Sequence, residues 1–260
     1  MPPATPLGVQ LYTLRDPARF GGAGLGLDVE ALRTLAEIGV QGVETVDVPG
    51  GDPVAARRVL DDLGLAITSS HSWASMDDLD GFARGCEALA TFGSPRAIVS
   101  GPALADLAAV ERFADGLRAA AAVAAQHGLA FGYHNHSAEM QVLDGRRVLD
   151  RLATLTGPDV DFQVDIFWAR VGGADPAEVV AGLGDRVVSL HLKDGATLPA
   201  DPQDMPFWNV PVGSGVVDPR PVIALADASP RIEWLIAEFD HVEGPPLDGV
   251  RASIDWLRRQ

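Results

Sequence analysis

The chain has 260 residues, of which 47% are hydrophobic, and its formal net charge is −16, with 36 acidic residues against 20 lysine and arginine residues. This acidity argues against a nucleic-acid-binding protein, because a polyanionic backbone is repelled where no basic stripe offsets the charge. Lys193 is the one lysine and the arginines are scattered, so the sequence shows no such stripe. Its apolar runs are too short to cross a bilayer and its N-terminus does not resemble a signal peptide, so we expect a soluble, cytoplasmic protein without membrane partners.

The sequence holds a single cysteine, Cys86. An internal disulfide is therefore excluded. Because Cys86 lies within the helical pattern FARGCEALATFG, we expect a small buried residue there rather than a nucleophile.

Strand-like and helix-like hydrophobic patterns alternate along the whole chain. Strands are predicted at Leu7–Leu14, Gly42–Val46, Ala66–His71, Arg96–Ser100, Ala130–His134, Asp161–Asp165, Arg186–His191 and Glu233–Glu238. Helices are predicted at Asp28–Ile38, Asp52–Leu63, Ser75–Thr91, Ala103–His127, Arg146–Leu155, Asp175–Leu183, Asp218–Ala228 and Leu247–Arg258. Asp-Pro pairs open three of these helices, as expected for a cap followed by a first-turn proline.

The spacing of these elements predicts an α/β fold, a (β/α)8 TIM barrel that forms a single domain over residues 1–260. The strand ends recur about every 30 residues, which is the repeat of such a barrel of roughly 250 residues. An open doubly wound sheet is the alternative, but it normally carries a glycine-rich phosphate turn after its first strand. Here that turn reads RDPARFGGAGLG and lacks both common phosphate-binding patterns, so we interpret it as a flexible loop.

One connection is much longer than the others, the segment Asp194–Val217. Its four prolines argue against regular structure, and loops of this length in a compact domain are usually functional. Phe207 and Trp208 at its centre would either close over a ligand or pin the loop to the barrel.

Chemically active side chains gather where the predicted strands end. The run FGYHNHSAEM closes strand five with His134, His136 and Glu139, and strands six, seven and eight end near Asp165, His191 and Glu238. Because the active site of such a barrel lies at the C-terminal ends of its strands, we expect these side chains to share one pocket. Asp161 lies at the opposite end of strand six and is expected to be structural.

Imidazole and carboxylate groups that converge in one pocket favour a divalent transition metal such as Mn²⁺, Co²⁺, Zn²⁺ or Fe²⁺. Asp165 and Glu238 would supply charge, while His191 and either His134 or His136 would supply nitrogen. Such a metal polarises a carbonyl or hydroxyl oxygen and so acidifies the neighbouring C–H bond.

A side chain beside the metal must then move the proton, and the catalytic candidates are Glu238, Glu139 and His136. The remaining polar and aromatic residues near the strand ends are expected to bind substrate: Gln10, Tyr12, His71, Trp168 and Lys193. Trp168 would stack on a sugar face or form the rim. Lys193 would bind a substrate oxygen or pair with Asp194 or Asp240.

Several motifs together resemble the xylose isomerase-like TIM-barrel superfamily, and within it the sugar phosphate isomerase/epimerase group. They are GVQLYTLR, GVETVDV, FGYHNHSAEM, VDIFWARVGGADP, LHLKDG, VGSGVVDPRPVI and AEFDHVEGPPLDGVRASIDWLR, which cover essentially the whole chain. The resemblance implies a metal held by His134, Asp165, His191 and Glu238.

The sequence also departs from that group. Many relatives carry a glutamate where His134 stands, so Glu139 is an alternative ligand. Of the two glutamates that share proton transfer in the epimerases, only Glu238 is retained. Relatives often read GEG where this chain has Gly213-Ser214-Gly215.

The resemblance implies a metal-dependent isomerase or epimerase that acts on a small-molecule sugar or cyclitol. A lyase or dehydratase of a keto-sugar or inosose on the same scaffold is the alternative. A non-catalytic sugar-binding barrel is an alternative of another class. Without a phosphate-binding cluster, the substrate is expected to be unphosphorylated, and the oligomeric state stays open.

Overall fold

The computed structural model describes residues 2–15, 26–72, 77–199 and 209–260. The barrel strands are β1 (Leu7–Gln10), β2 (Gly42–Val46), β3 (Ala66–His71), β4 (Arg96–Val99), β5 (Ala130–His134), β6 (Asp161–Asp165), β7 (Val187–Leu192) and β8 (Trp234–Ala237). Neighbouring strands run parallel, and the ring closes in the order β1-β8-β7-β6-β5-β4-β3-β2. The predicted barrel is confirmed, and the open sheet is excluded.

The helices pack around this barrel. Within the described ranges they are α1 (Val29–Ile38), α2 (Pro53–Asp62), α3 (Leu79–Phe92), α4 (Leu107–Gln126), α5 (Val148–Thr156), α6 (Ile166–Val171), α7 (Pro176–Leu183), α8 (Arg220–Ala228) and α9 (Pro246–Leu257). Asp52 and Asp175 accept backbone N–H bonds at the starts of α2 and α7, as the Asp-Pro pairs predict. None of these helices combines the length and the apolar character that a bilayer crossing needs.

The first predicted strand is too long. The strand stops at Gln10, and Leu11–Leu14 forms a 3-10 helix instead of continuing the strand to Leu14. The cause is the Gln10 side chain, whose Oε1 accepts the backbone N–H of Tyr12 at 3.1 Å and turns the chain. This turn carries Tyr12 to the rim of the barrel.

Two helices begin later than predicted because an aspartate caps each one. Asp78 accepts the N–H of Gly81 at the start of α3, and Asp106 accepts the N–H of Ala109 at the start of α4. Caps of this kind fix where helical backbone begins.

Two further differences follow β5 and β6. The helix predicted from Arg146 starts at Val148, because Arg146–Arg147 pairs with Val142–Leu143 in a small hairpin. The short helix α6 was not predicted, because the apolar run that leaves β6 continues the strand pattern. Three sequence features lie outside the described residues: most of the turn RDPARFGGAGLG, Ser75, and the pair Phe207 and Trp208.

An ion-pair cluster lies at the N-terminal end of the barrel, opposite the predicted pocket. Arg96 Nε lies 3.1 Å from Asp161 Oδ2, and Arg231 lies 3.3 Å from the other oxygen of the same carboxylate. Asp161 therefore ties β6 to β4 and to the segment before β8, which confirms its structural role.

Cys86 is buried in α3 and is 1% exposed. Burial raises the pKa of its thiol to about 11, so the nucleophilic thiolate is scarce near neutral pH. We expect the native protein to react slowly, if at all, with DTNB and to release one equivalent of chromophore on unfolding in guanidinium chloride. Rapid stoichiometric reaction of the native protein would contradict a purely structural role for this thiol.

Candidate active site

The described residues enclose a cavity of about 860 Å³ at the C-terminal ends of the strands. Most of the residues that the sequence places in one pocket meet there. Those that line the cavity are Gln10, Tyr12, His71, His134, His136, Lys193 and Glu238, joined by Asp240. Asp165 and His191 lie directly behind this wall and are fully buried.

A compact donor set lies where β6, β7 and β8 end side by side. Asp165 pairs in register with His191, and His191 with Ile236, so Glu238 lies two residues further along, directly after the end of β8. One ligand atom from each of Asp165, His191 and Glu238 lies within 4.8 Å of the others. The set contains two carboxylates and one imidazole, which suits a divalent metal.

Asp165 has two distinct oxygens. Its Oδ1 accepts the N–H of Trp168 at 2.9 Å and so caps α6. Its Oδ2 is buried and accepts no hydrogen bond from the residues that the structure describes. Burial raises the pKa of this carboxyl group, with Lys193 and His191 acting in the opposite direction. The Lys193 ammonium lies 3.2 Å from Oδ2 and supplies the positive charge that a buried carboxylate oxygen needs. Because Oδ2 accepts no hydrogen bond from the described residues, it remains available to bind a metal ion.

Lys193 supplies positive charge to this cluster. Its Nζ lies 2.8 Å from Asp240 Oδ2, 2.9 Å from Glu238 Oε2 and 3.2 Å from Asp165 Oδ2. Burial lowers the pKa of the amine, but the three carboxylates outweigh burial and raise it well above its ordinary value. Lys193 is therefore a protonated ammonium that is 1% exposed, and it pairs with Asp240 rather than with Asp194.

Asp194, the other partner considered for Lys193, organises the long loop after β7. Its carboxylate accepts the backbone N–H groups of Gly195, Gly213, Gly215 and Val217. The Gly213-Ser214-Gly215 segment is thus held by Asp194 beside the end of β7. A side chain at Gly215 would overlap Asp194, which explains why this position carries glycine.

His191 lies between two carboxylates. Its Nδ1 lies 2.7 Å from Glu238 Oε2 and its Nε2 lies 2.5 Å from Glu44 Oε2. Burial alone lowers the pKa of His191, but Glu44 and Glu238 outweigh burial and raise it to about 10. If Nε2–H stays on Glu44, Nδ1 faces Asp165 and Glu238. A carboxylate that accepts the N–H of the other ring nitrogen commonly orients a metal-binding histidine in this way.

Glu44 and Gln163 form a buried network beneath the cavity, and sequence reasoning did not assign either of them to the site. Gln163 Nε2 donates to Glu44 Oε1 at 2.6 Å, and Gln163 Oε1 lies 2.8 Å from His71 Nε2 and 2.9 Å from His134 Nδ1. Both imidazoles therefore present N–H groups to this amide oxygen. The available signal was a polar residue in the middle of an otherwise buried strand, GVETV or VDFQVD.

His134 is oriented by this network. With Nδ1–H on Gln163, its Nε2 carries the free lone pair and lies 4.0 Å from Asp165 Oδ2. Burial lowers the pKa of His134 well below its ordinary value, and His191 and His136 lower it further. His134 also forms a second close group with His71 and His191, so its role as a metal ligand stays a prediction.

His136 and Glu139 follow β5 but lie in different surroundings. His136 lines the cavity, and burial together with Lys193 lowers its pKa to about 4. Glu139 is 1% exposed and does not line the cavity enclosed by the described residues. It accepts hydrogen bonds from the Tyr133 hydroxyl and from the His136 backbone N–H. Its position suits a residue that places His136, and its predicted role in proton transfer stays a prediction.

Trp168 is buried and also stands behind the cavity. Its ring lies 5.6 Å from the His136 ring, and Lys193 Nζ lies 5.9 Å from its centroid. The indole therefore packs behind His136 and Lys193, which line the cavity, and does not itself line the cavity that the described residues form. Its predicted contact with substrate stays a prediction.

The Glu44 contact leads to a test. Replacing Glu44 by glutamine removes the charge that orients His191 but keeps the shape of the side chain. Substitution of a residue that hydrogen-bonds to a metal-binding histidine typically lowers the affinity for the metal by about 10–100-fold. We therefore expect Glu44→Gln to weaken Mn²⁺ binding by that factor. Isothermal titration with Mn²⁺ measures it, and Glu30→Gln on the exposed face of α1 serves as the control. Unchanged affinity in Glu44→Gln would exclude a role for Glu44 in orienting a metal ligand.

Several solved structures resemble this one over nearly the whole chain. A sugar phosphate isomerase/epimerase from Parabacteroides distasonis matches with a TM-score of 0.78 and 21% identity, over 98% of this chain and 93% of that one. The probable 3-DHS dehydratase involved in petrobactin synthesis from Bacillus anthracis matches with a TM-score of 0.77 and 13% identity, over 97% and 98%. A Mycobacterium smegmatis barrel in complex with magnesium has a TM-score of 0.71 and 17% identity, over 98% and 96%. At these identities the likeness shows the fold.

Among curated proteins, an inosose dehydratase from Geobacillus kaustophilus is 36% identical over 85 residues. The match spans 32% of this chain and 27% of that protein. The family model of the xylose isomerase-like TIM barrel matches residues 32–260, which is most of the chain. The chain therefore belongs to the xylose isomerase-like TIM barrel family.

Proposed function

We propose that this protein is a metal-dependent sugar isomerase or epimerase that moves a proton next to a polarised carbonyl or hydroxyl group of a sugar or cyclitol. The observation that carries the proposal is the buried set Asp165, His191 and Glu238, in which one ligand atom of each residue lies within 4.8 Å of the others. A bound divalent ion would supply Lewis-acid polarisation of a substrate oxygen. These three residues would hold it, with Glu44 orienting His191.

His136 is the residue best placed to accept the proton. It lines the cavity, and its lowered pKa keeps the imidazole neutral near neutral pH, which a general base requires. Glu139 holds the backbone of His136, so we assign it as a positioning residue. Glu238 is a second candidate base, because Lys193 and His191 outweigh burial and lower its pKa well below the ordinary value.

Lys193 is suited to stabilise negative charge that develops on a substrate oxygen. It is protonated, it lines the cavity, and it is held by three carboxylates at fixed distances. A fixed ammonium needs no reorganisation when charge appears, and this is the usual source of electrostatic catalysis. Gln10, Tyr12 and His71 line the same cavity and would bind substrate hydroxyl groups.

A dehydratase of a keto-sugar or inosose is the second candidate, favoured by the inosose dehydratase relative. Both reactions begin with removal of a proton next to a carbonyl. They differ in the next step, since a dehydratase protonates and expels a neighbouring hydroxyl group. Lys193, and His136 once it has accepted the substrate proton, line the cavity and could supply that proton.

Exchange of substrate protons with deuterium oxide tests the shared first step. The protein, loaded with Mn²⁺, is incubated with a panel of ketoses, aldoses and inososes and followed by NMR. We expect His136→Ala to slow exchange by about 10²–10⁴-fold, the usual contribution of a general base. His127→Ala, at the C-terminal end of α4 and away from the cavity, serves as the control.

The products separate the candidates. Deuterium in an isomeric sugar supports the isomerase, and loss of water to give an unsaturated ketone supports the dehydratase. Tight binding without exchange for any sugar of the panel would support the non-catalytic sugar-binding barrel and overturn the proposal.

A further inference from the structure

The cavity extends well beyond the polar cluster. Its volume of about 860 Å³ lies near the upper end of the range for pockets that enclose drug-sized ligands, about 300–1,000 Å³. A single sugar ring fills only part of such a space. The cavity therefore has room for a second chemical group beside the ring that the polar residues would bind.

The topology separates two poles. In the closed ring, β4 stands four strands from β8 in either direction, so the two lie on opposite sides of the barrel. The β8 side carries Glu238 and Asp240, with Lys193 directly after the neighbouring β7. The β4 side is mainly apolar, although Ser100 and Arg112 also line it. Its apolar lining residues, which we term the distal lobe, are Val99, Pro102, Leu104, Ala109, Phe113 and Gly116.

Packing fixes the wall of the distal lobe. The Phe113 ring lies edge-on to Tyr133 with 5.7 Å between centroids, and Tyr133 in turn donates to the buried Glu139. The Phe113 ring occupies the space over Gly101, where any side chain would overlap it. The wall is thus connected through Tyr133 and Glu139 to His136.

Gly116 leaves the lobe open. It lies inside α4, where glycine is about 1 kcal/mol less favourable than alanine. Among the residues that the structure describes, no atom lies within 4 Å of a Cβ placed there, so neither close packing against them nor an unusual backbone angle requires glycine at this position. The absent side chain leaves space in the cavity, and Ser100 and the exposed Arg112 stand at its edge.

From these observations we propose that the substrate is a sugar or cyclitol ring that carries an apolar substituent of about aromatic size. The inference rests on the proposed function: the ring would lie on Lys193, Glu238 and the histidines, and the substituent would lie in the distal lobe. An unsubstituted sugar would leave the apolar wall in water, whereas an apolar substituent removes that surface from water and gains affinity.

Matched glycosides test the proposal by direct binding. Methyl and phenyl glycosides of glucose, galactose, mannose and xylose, together with lactose and cellobiose, are titrated calorimetrically into the full-length protein in the presence of Mn²⁺. We expect at least one phenyl glycoside to bind on the order of tenfold more tightly than its methyl counterpart, because an apolar group in a fitting pocket typically contributes that factor or more.

Substitution of Gly116 locates the effect. Gly116→Leu is expected to fill the lobe while favouring the helix, so the ratio of phenyl to methyl affinity should fall towards one. Gly182→Leu places the same side chain on the exposed face of α7 and should keep the ratio. Helical content and melting temperature of both variants confirm that they fold.

The remaining outcomes distinguish the two proposals. Equal affinity for methyl and phenyl glycosides, or a preference for the disaccharides, would overturn the apolar substituent but leave the proposed function intact. A phenyl preference that persists in Gly116→Leu would place the substituent outside the distal lobe and overturn the inference. If no glycoside of the panel binds, the sugar pocket itself fails, and the inference fails with it.

Discussion

Replacing Asp165 by asparagine is expected to abolish stoichiometric binding of a divalent ion while leaving the barrel folded. Asparagine keeps the oxygen that caps α6 through the Trp168 N–H. It removes the negative charge of a side chain that has one ligand atom within 4.8 Å of those of His191 and Glu238. Loss of one anionic ligand from a three-residue set leaves too little charge and too few donors to hold the ion.

The measurement is the metal content after equilibration with Mn²⁺ and gel filtration, with circular dichroism to confirm folding. Asp161→Asn is the matched control, because Asp161 is on the same strand but at the opposite end of the barrel, paired with Arg96. The wild type and Asp161→Asn should hold one ion per chain and Asp165→Asn none. An undiminished metal content in Asp165→Asn would refute the assignment of the ligand set.

Among the substitutions proposed for this protein, replacing Lys193 by methionine is expected to lower the free energy of unfolding most. Three carboxylates, Asp165, Glu238 and Asp240, lie within 3.2 Å of its ammonium nitrogen. Removing one partner of a buried ion pair typically lowers the free energy of unfolding by about 3–5 kcal/mol, because it leaves buried charge uncompensated. Methionine has a similar length, so loss of packing contributes little.

A divalent ion should restore much of this stability, because it supplies positive charge to Asp165 and Glu238. Urea unfolding of Lys193→Met is therefore compared in EDTA and in Mn²⁺, where binding to the folded state raises its stability by linkage. Arg112→Met removes an exposed cation at the cavity edge and should change stability by less than about 0.5 kcal/mol. An equal loss of stability in EDTA and in Mn²⁺ would mean that the ion does not bind at these carboxylates.

The sequence contains enough local information to predict the barrel but not the whole site. Alternation of apolar patterns and the spacing of strand ends depend on neighbouring residues, so seven of the eight predicted strands match within one residue at each end. The exception is β1, which ends early because the Gln10 side chain turns the chain. Asp165, His191 and Glu238 were found because each ends a buried strand with a polar side chain, which is a local signal.

Glu44 and Gln163 could not be assigned in this way. The contact between Glu44 and His191 joins residues 147 positions apart across the interior of the barrel. The sequence around Glu44, GVETV, does not identify its partner, because the two residues come together only in the closed barrel. The distal lobe was missed for the same reason, since Phe113 in α4 looks like an ordinary apolar position until Gly101 and Tyr133 pack against it.

The central claim is that Asp165, His191 and Glu238 hold one divalent ion at the end of the barrel. Anomalous diffraction at the manganese edge from crystals grown with Mn²⁺ tests it most directly. A single anomalous peak in contact with these three residues, together with one ion per chain by elemental analysis, is the predicted result. A peak elsewhere, or none in Mn²⁺-saturated crystals, would contradict the metal site and the proposed reaction together.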